Sequence, residues 1–478
     1  MRRIFLTIGI IGLSAVLFGW VSFSDHLHPK KKIVAEESPE LNYKNFCSGC
    51  HGERMDAFVD RKWKHGEKKE DLFKAIKTGY PDEGMPAFDS AFSDKAIHDL
   101  VDYIITGIEN VKRYQFQETV VKENYFVSDS LDIKLDTIAK GFTVGWGMAF
   151  LPGGSMLITD KSGKIYKVDK NKKMQEVSGG PQVLFEGQGG LMDVILHPQF
   201  TKNKLVYLSY SMPKKFDTVL MGTTAIMRAT LEGNKLINSK IIFEAMPYSK
   251  TRHHYGSRMV FGKDGKLYFS VGERGNEKEN PQSLSRDLGK IHRINDDGTI
   301  PKDNPFVNTP DAKPSIYSYG HRNPQGLTVN PVNGEIWENE HGPRGGDEIN
   351  LIKKSDNYGW PIVTYGINYN GKTISDKSIQ PGIEDALLYW IPSIGPSGMA
   401  FVQGNRYPGW KGSVMVGSLR FKYLNRCEVK GHEIVKQEML LKNIGRVRDV
   451  RMAPDGYLYI SVENPGYIFK LIPVKKKQ

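Results

Sequence analysis

The sequence predicts a small all-α domain followed by an all-β, six-bladed propeller. Three observations lead to this prediction. A Cys-x-x-Cys-His string near the start of the chain is followed by two segments with helical periodicity. From about residue 140 onward, a short phrase of apolar residues, a turn and a strand recurs six times. Glycine is abundant, with 49 residues in 478, which is typical of a chain with many turns.

The first segment of the chain is predicted to direct export. Two arginines precede an apolar run from Ile4 to Phe23, which is long enough to span a bilayer. Because flanking positive charges stay in the cytoplasm, the body of the protein is expected in the periplasm. We expect residues 1–24 to remain as an inner-membrane anchor, with a cleaved signal peptide as the alternative. Residues 25–40 are predicted to be a linker.

The chain is basic, with 66 lysines and arginines against 54 aspartates and glutamates, a formal net charge of +12. A basic surface attracts acidic redox partners or anionic lipid headgroups. The sequence contains no nucleic-acid-binding motif, so nucleic acid is not expected as a partner.

Residues 41–110 contain the pattern that attaches a haem. Cys47 and Cys50 lie three residues apart and can reach both vinyl groups of one haem, while the adjacent His51 can bind its iron. A redox dithiol and half of a zinc site are the alternatives. The adjacent histidine and the absence of a second cysteine pair disfavour both, so the pattern predicts a haem c.

A second axial ligand to the haem iron is predicted at Met85, in a Gly-Met-Pro loop. A thioether opposite a histidine raises the reduction potential of a haem, which suits an electron acceptor. His65 and His98 are weaker candidates for this position. Apolar stripes with helical spacing occur at residues 69–78 and 93–105. The segment as a whole resembles a small class I cytochrome c.

The recurring phrase predicts a propeller over residues 136–474, after a linker at residues 111–135. The six copies lie at residues 148–154, 194–198, 259–265, 328–331, 399–402 and 452–456. One such unit cannot bury both faces of its sheet alone, so neighbouring units must stack and the ring must close. A large β-sandwich is the alternative. In a propeller, polar loop residues converge at one end of the central channel, where a ligand is expected.

Basic residues of the propeller predict an anion site. Four arginines come from three separate blades, namely Arg322, Arg420, Arg446 and Arg448. If these arginines converge, their mutual repulsion favours an anion with several carboxylates between them, because guanidinium groups bind carboxylates bidentately. Surface ion pairs are the alternative for any one of them.

Two further features predict chemistry at this site. Gly342 and Pro343 can offer only backbone carbonyl oxygens, which are hard ligands that suit Ca²⁺. His254 is a candidate general base because the pKa of histidine is naturally near neutrality, although a lone histidine is more often structural. The residues alone therefore predict an anion-binding propeller with a candidate calcium site and a candidate base.

The same strings resemble the soluble PQQ-dependent glucose and aldose sugar dehydrogenases over residues 140–473. The resemblance is carried by Gly320–Gly326, by Gly342–Pro343 with Asp347–Leu351, by Asn357–Pro361 and by Arg446–Asp449. It implies that His254 takes the proton of a substrate hydroxyl while a hydride passes to PQQ. It also implies PQQ contacts from Gln188, Arg322, Asn323, Ser393, Arg420, Arg446 and Arg448.

The resemblance also implies substrate and calcium contacts. Glu273 and Asp347 would line the substrate site. Glu273 stands in place of an aspartate of the glucose enzymes, Arg420 in place of a lysine and His253 in place of an acid, which changes contacts to the substrate. The calcium ligands would be Gly342 and Pro343 for a catalytic ion, and Glu348 and Tyr358 for a structural ion.

The function implied by the resemblance is oxidation of the C1 hydroxyl of an aldose to a lactone. Electrons would pass to the fused haem c and on to an external cytochrome or other respiratory acceptor. The tether keeps the effective concentration of the haem high. Two alternatives stay open. The substrate could be a non-sugar alcohol or an oligosaccharide, or the propeller could be a non-catalytic carbohydrate-binding module beside a haem relay.

Overall fold

The computed structural model describes residues 38–47, 51, 65–114, 123–275, 278–369, 371–463 and 466–476. The predicted anchor at 1–24 and most of the predicted linker at 25–40 lie outside these residues, as does Cys50. No helix among the described residues is long and apolar enough to cross a membrane.

The N-terminal domain is helical. Its helices are α1 (Pro39–Asn42), a π-helical turn (Tyr43–Cys47), α2 (Lys69–Thr78), a 3₁₀ turn (Pro81–Glu83) and α3 (Asp94–Tyr114). The Ser93 hydroxyl accepts a hydrogen bond from the Ala96 amide at 3.1 Å, so Ser93 caps α3. The predicted helix at 69–78 is confirmed. Helix α3 extends beyond the predicted end at residue 105.

The core of this domain lies between α2 and α3. Leu72 and Ile76 of α2 are buried against Ile97, Leu100 and Ile104 of α3. The spacing of three and four residues within each helix places these side chains on one face. The apolar stripes in the sequence therefore form the core that holds the domain together.

The remaining chain forms six antiparallel sheets. The first strands in chain order are β1 (Tyr125–Phe126), β2 (Asp132–Lys140), β3 (Gly145–Phe150), β4 (Met156–Asp160), β5 (Ile165–Val168), β6 (Met174–Glu176), β7 (Leu191–Leu196), β8 (Leu205–Phe216), β9 (Val219–Glu232) and β10 (Lys235–Glu244). A short helix, α4 (Phe200–Asn203), joins β7 to β8.

The later strands are β11 (Met259–Phe261), β12 (Leu267–Val271), β13 (Lys290–Ile294), β14 (Ile316–Tyr319), β15 (Pro324–Val329), β16 (Ile336–Glu340), β17 (Asp347–Ile352), β18 (Leu388–Trp390), β19 (Pro396–Phe401), β20 (Val414–Ser418), β21 (Leu424–Lys430), β22 (Glu433–Leu440), β23 (Arg446–Met452), β24 (Leu458–Glu463) and β25 (Tyr467–Val474).

The six sheets form a closed ring. The first strand of each sheet contacts the first strand of the next, in the order β3, β7, β11, β15, β19, β23 and back to β3. Each copy of the recurring phrase lies on or directly after one of these six strands. The predicted six-bladed propeller is therefore confirmed, and the sheets do not stack as the two layers of a sandwich.

The last blade joins the two ends of the propeller chain. Strand β2 pairs antiparallel with β25, and β1 adds to the outer edge of β2. Ile133 and Leu135 of β2 are buried in one cluster with Phe469 and Leu471 of β25. The alternation of apolar residues in β2 causes this pairing. The predicted linker at 111–135 therefore needs correction, because strands of the propeller already lie within it.

A buried cluster of four charges crosses the central channel. Arg258 contacts Asp449 at 2.8 Å and Asp193 at 3.4 Å. Arg451 pairs with the same two carboxylates. Asp193 lies on β7, and Asp449 and Arg451 lie on β23, while Arg258 directly precedes β11. The charges cancel within the cluster, which ties three blades together; Arg258, Asp193 and Asp449 are buried and Arg451 is partly exposed.

The cluster makes Asp193 sensitive to substitution. We expect Asp193→Ala to lower the free energy of unfolding by about 3–5 kcal/mol, because Arg258 and Arg451 would keep buried charges with one carboxylate fewer. Urea unfolding followed by tryptophan fluorescence measures the change. Asp376→Ala, at an exposed position, is the control and should change stability by less than about 0.5 kcal/mol. Equal effects of the two substitutions would contradict this account of the channel.

Candidate active site

The predicted site residues lie on one face of the propeller. In each blade the second strand runs antiparallel to the first, so the start of the first strand and the end of the second meet at the same edge. Those that precede or begin a first strand are Gln188, His254, Arg322, Asn323, Ser393, Arg446 and Arg448. Those that follow a second strand are Glu273, Gly342, Pro343 and Arg420. The ring therefore gathers them around one mouth of the channel.

His254 is held from two sides. Its Nδ1 lies 2.6 Å from Oε1 of the fully buried Glu273, and its backbone N–H donates to Oε1 of Gln188 at 2.8 Å. With Nδ1 carrying the proton toward Glu273, Nε2 keeps its lone pair. The backbone of His254 is left-handed, with φ +55°. Residues other than glycine rarely adopt this backbone conformation. The two hydrogen bonds therefore hold His254 in a conformation that its backbone alone disfavours.

The surroundings of His254 keep its ring neutral. Burial lowers the pKa of His254 well below its usual value, and the positive charge of Arg322 lowers it further. A neutral imidazole is the form that can accept a proton. His254 therefore has the neutral form that a candidate base needs, with its Nδ1 facing the carboxylate of Glu273.

Arg446 and Arg448 share one carboxylate. The Nε of Arg446 donates to one oxygen of Glu463 at 2.8 Å, and the Nε of Arg448 donates to the other at 2.6 Å. These two guanidinium groups lower the pKa of Glu463 to about 2 against the effect of burial. The sequence did not identify Glu463, which ends β24. The single negative charge of Glu463 balances only one of the two arginines, so the group of three keeps a net positive charge.

The arginines from different blades face a common space. Loss of water around His341 lowers the pKa of its imidazole to about 3, and Arg448, Arg322 and Arg446 lower it as well. Those three arginines therefore lie near one ring. Arg420 donates to the Ser393 carbonyl at 3.3 Å on the same side. Arg322, Arg446 and Arg448 are thus close to one another, and Arg420 adjoins them through Leu419, whose carbonyl accepts from Arg446 at 3.2 Å.

Some polar atoms at this face lack a partner. The Nε of Arg322 and the Nδ2 of Asn323 are buried without a hydrogen bond in the described part of the protein. Arg322 also lies with its guanidinium 5.2 Å from the ring of Trp360. Buried donors without acceptors cost free energy unless a ligand provides acceptors. A planar anion with carboxylate and carbonyl oxygens fits these donors and the surplus positive charge.

The loop after β16 carries the predicted calcium ligands. The Gly342 carbonyl accepts from Arg322 at 2.6 Å, and the Pro343 carbonyl accepts from the Ser393 hydroxyl at 3.0 Å. Each carbonyl has a second lone pair, so both can still bind a hard cation. Both oxygens of Asp347 accept backbone N–H groups, from Gly342 and Gly395.

Asp347 lies at the start of β17 and is 1% exposed. Its two hydrogen bonds connect the Gly342 loop to Gly395. Burial raises the pKa of Asp347 to about 6 against the effect of its hydrogen bonds. The predicted contact of Asp347 with the substrate stays a prediction.

A second group of carboxylates lies behind the mouth. One ligand atom each of His321, Glu338 and Glu340 lie within 4.8 Å of one another. The amide of Asn350 donates to both Glu338 and Glu348. The predicted structural-calcium residues adjoin this group, since Glu348 pairs with Glu340 in the sheet and the Tyr358 ring stacks on His321 at 4.5 Å.

Desolvation and neighbouring carboxylates raise the pKa of Glu338 and of Glu348. Glu338 also has one buried oxygen without a hydrogen bond. Buried carboxylates in this arrangement must either bind protons or share a cation. The sequence analysis identified Glu348 but not Glu338 or Glu340. Glu338 and Glu340 alternate with other residues along β16 as in any strand, so the pattern does not mark them as ligands.

The haem-attachment residues lie in the helical domain. Cys47 is buried in the core cluster, and Met85 packs against that cluster from its loop. His51 is described and Cys50 is not. Phe46, Phe88 and Phe92 form an aromatic group next to Cys47. The apolar surroundings and the thioether and thiol groups suit a haem c.

Comparisons with known proteins agree with this architecture. The fold and the site define a propeller-type oxidoreductase with an N-terminal cytochrome c domain. Residues 142–470 match the family model described as glucose / sorbosone dehydrogenase, and residues 35–104 match the model of cytochrome c oxidase, cbb3-type, subunit III. The chain belongs to the glucose/sorbosone dehydrogenase family.

Named relatives support the assignment. The aldose sugar dehydrogenase of Escherichia coli strain K12 is 40% identical over 69% of this chain and 90% of its own length. Quinoprotein glucose dehydrogenase B of Acinetobacter calcoaceticus is 27% identical over 77% of this chain and 93% of its own. The structure of a PQQ-bound aldose sugar dehydrogenase from Streptomyces coelicolor has a TM-score of 0.59 and 28% identity, covering 72% of this chain and all of that one.

The buried carboxylates predict a pH dependence of stability. A raised pKa means that the folded state binds more protons than the unfolded state above about pH 4.3, so the free energy of unfolding falls as pH rises from there. In chelator-treated protein, Glu338→Gln should make this fall less steep, by up to about 1.4 kcal/mol per pH unit. Urea unfolding at several pH values measures it. The exposed Glu433→Gln is the control, and identical slopes for both variants would contradict the prediction.

Proposed function

We propose that this protein oxidises the C1 hydroxyl of an aldose to a lactone, using PQQ and Ca²⁺, and passes the electrons through haem c to an external acceptor. The observation that carries the proposal is the buried His254–Glu273 pair with the guanidinium of Arg322 nearby. Family membership supports the choice of substrate class, because relatives are named for glucose and aldose sugars.

The pocket residues fit PQQ, which carries several carboxylates and two quinone carbonyls. Arg322 and Asn323 would donate to its oxygens with the atoms that lack partners. Arg446 and Arg448 would add positive charge beyond what Glu463 neutralises. When bound, PQQ supplies a two-electron acceptor for hydride. Ser393 and Arg420, which contact each other's loop, would close one side of the pocket.

His254 would take the proton of the substrate hydroxyl on Nε2. Glu273 holds Nδ1 and would stabilise the imidazolium as it forms, while Gln188 fixes the backbone. The C1–H bond breaks as its hydrogen leaves as a hydride to the two-electron acceptor, and the C1 hydroxyl gives its proton to His254. The lactone carbonyl remains, so the atoms and charges balance. Orientation of a base by a buried carboxylate contributes through geometry and charge together.

Two calcium sites are proposed. The Gly342 and Pro343 carbonyls would bind an ion at the mouth, where a cation polarises a carbonyl oxygen as a Lewis acid. The group of Glu348, Glu338 and the neighbouring Tyr358 would bind a second ion with a structural role. The second site would relieve the repulsion between buried carboxylates.

The helical domain would relay electrons. Cys47 and Cys50 would attach the haem, and His51 and Met85 would bind its iron from opposite sides. Covalent haem attachment and the family of the propeller favour an exported, periplasmic protein. The apolar N-terminal segment would allow anchoring to the inner membrane. A cytochrome or another respiratory component would be the external acceptor.

Reconstitution tests the proposal. We expect haem-loaded protein supplied with PQQ and Ca²⁺ to show quinone absorbance, and to reduce its haem when an aldose is added. Removal of Ca²⁺ with a chelator should abolish haem reduction by the aldose. A panel of aldoses, secondary alcohols and oligosaccharides, read at the haem absorbance band, identifies the substrate. Absence of quinone absorbance would favour a carbohydrate-binding module, and reduction only by non-sugar alcohols would overturn the substrate class.

Substitution of the base provides a second test. We expect His254→Gln to bind PQQ with unchanged absorbance but to lower kcat by about 10²–10⁴-fold, because proton removal loses its acceptor. His432→Gln is the matched control, since His432 forms a similar histidine–glutamate pair with Glu335 on the surface. The control should keep full activity. Full activity of His254→Gln would remove His254 as the base.

A further inference from the structure

The tip of the Met85 loop touches the loop that carries His254. Tyr80 and Met85 pair as an isolated antiparallel bridge, so the residues between them form a closed turn. At its tip, the Asp82 carbonyl accepts from the Arg252 N–H at 3.2 Å. A Cβ at Gly84 would lie 3.0 Å from Nδ1 of His253, so the turn fits closely there.

A second contact between the two domains lies beside Cys47, one of the two cysteines predicted to attach the haem. The Arg344 guanidinium lies 4.3 Å from the ring centre of Phe46. Phe46 directly precedes Cys47, and Arg344 directly follows Pro343 of the candidate calcium loop. A guanidinium over an aromatic ring is attractive, more so where water is partly excluded.

The two contacts join the regions of the two domains that carry the predicted haem, base and calcium residues. On the helical domain they lie beside Cys47 and Met85, and on the propeller they lie beside His254 and Pro343. We infer that Arg344 and the Arg252–His253 segment form a docking surface for the chain's own haem domain, and that docking through it sets the rate at which electrons leave the propeller. This inference rests on the proposed function.

The electron balance explains why docking would matter. Oxidation of one hydroxyl to a carbonyl releases two electrons and two protons. A haem iron changes by one electron between its ferric and ferrous states, so two transfers across the contact are needed for each substrate. A one-electron acceptor outside the chain must reoxidise the iron after each transfer, and the protons leave to solvent. A contact that holds the domains together serves both transfers.

His253 lies between the two reaction centres. Its side chain is 8% exposed, and its ring meets the His254 ring edge-to-face at 4.6 Å. Burial, with Arg274 and Arg322, lowers its pKa to about 3, so the His253 ring itself is neutral at this contact. Gly84 leaves the space that this ring needs. His253 is thus a positioning residue at the interface between the domains.

The test uses the haem-loaded full chain with PQQ and Ca²⁺. After anaerobic mixing with an aldose, stopped-flow absorbance follows quinone reduction and haem reduction separately. We expect Arg344→Met to leave quinone reduction unchanged and to slow haem reduction about tenfold, because the docked population falls. Arg344→Lys, which keeps the positive charge, should recover part of the rate. Hydrogen exchange of the peptide at residues 250–255 should become faster in Arg344→Met, since the Arg252 amide loses Asp82.

Controls separate the outcomes. Arg406→Met removes a similar arginine–aromatic contact, with Tyr457, on the propeller surface and should change neither rate nor exchange. Haem reduction by ascorbate should be equal in all variants, which shows that the haem domain is intact. Unchanged haem reduction and unchanged exchange in Arg344→Met would overturn the docking surface. Failure of every aldose to reduce the quinone in the parent protein would instead overturn the proposed function, while exchange would still report docking.

Discussion

Closure of the ring is the constraint on which the rest of the structure depends. The site residues come from separate blades, and they meet only because the first strands follow one another in a complete circle. The closing step is the pairing of β2 with β25, which joins segments more than 300 residues apart in the chain. The burial of Ile133 and Leu135 against Phe469 and Leu471 stabilises the pairing of these two strands. Without it, the last blade would present an unpaired edge.

Charge balance distinguishes the two levels of the channel. In its interior, Arg258 and Arg451 meet Asp193 and Asp449, and the four charges cancel. At the mouth the balance is different, because Arg322, Arg446 and Arg448 lie around His341, and Glu463 pairs with two of them. Buried charge is costly unless it is neutralised. The interior cluster is therefore structural, while the surplus at the mouth is a capacity to bind an anion.

The sequence predicted the features that depend on local periodicity. The recurring phrase located the first strand of every blade, and the helical stripe at 69–78 located α2, because side-chain spacing is a local property. It could not reveal Glu463, whose partners are fixed by strand pairing. It also missed β1 and the first half of β2, since a two-residue strand and a strand with alternating charged residues resemble a linker. Contacts between distant segments, such as Glu273 with His254, appear only once the ring is built.

The local cost at His254 indicates why this residue is part of a site. A left-handed backbone costs a residue with a β-carbon about 1–3 kcal/mol, and burial of an imidazole adds to that cost. A structural histidine could avoid both with an ordinary backbone and an exposed ring. Here Gln188 holds the backbone and Glu273 holds the ring, so two polar contacts maintain an unfavourable conformation. What the conformation secures is the direction of one imidazole nitrogen close to Arg322, which is the geometry that the proposed proton transfer requires.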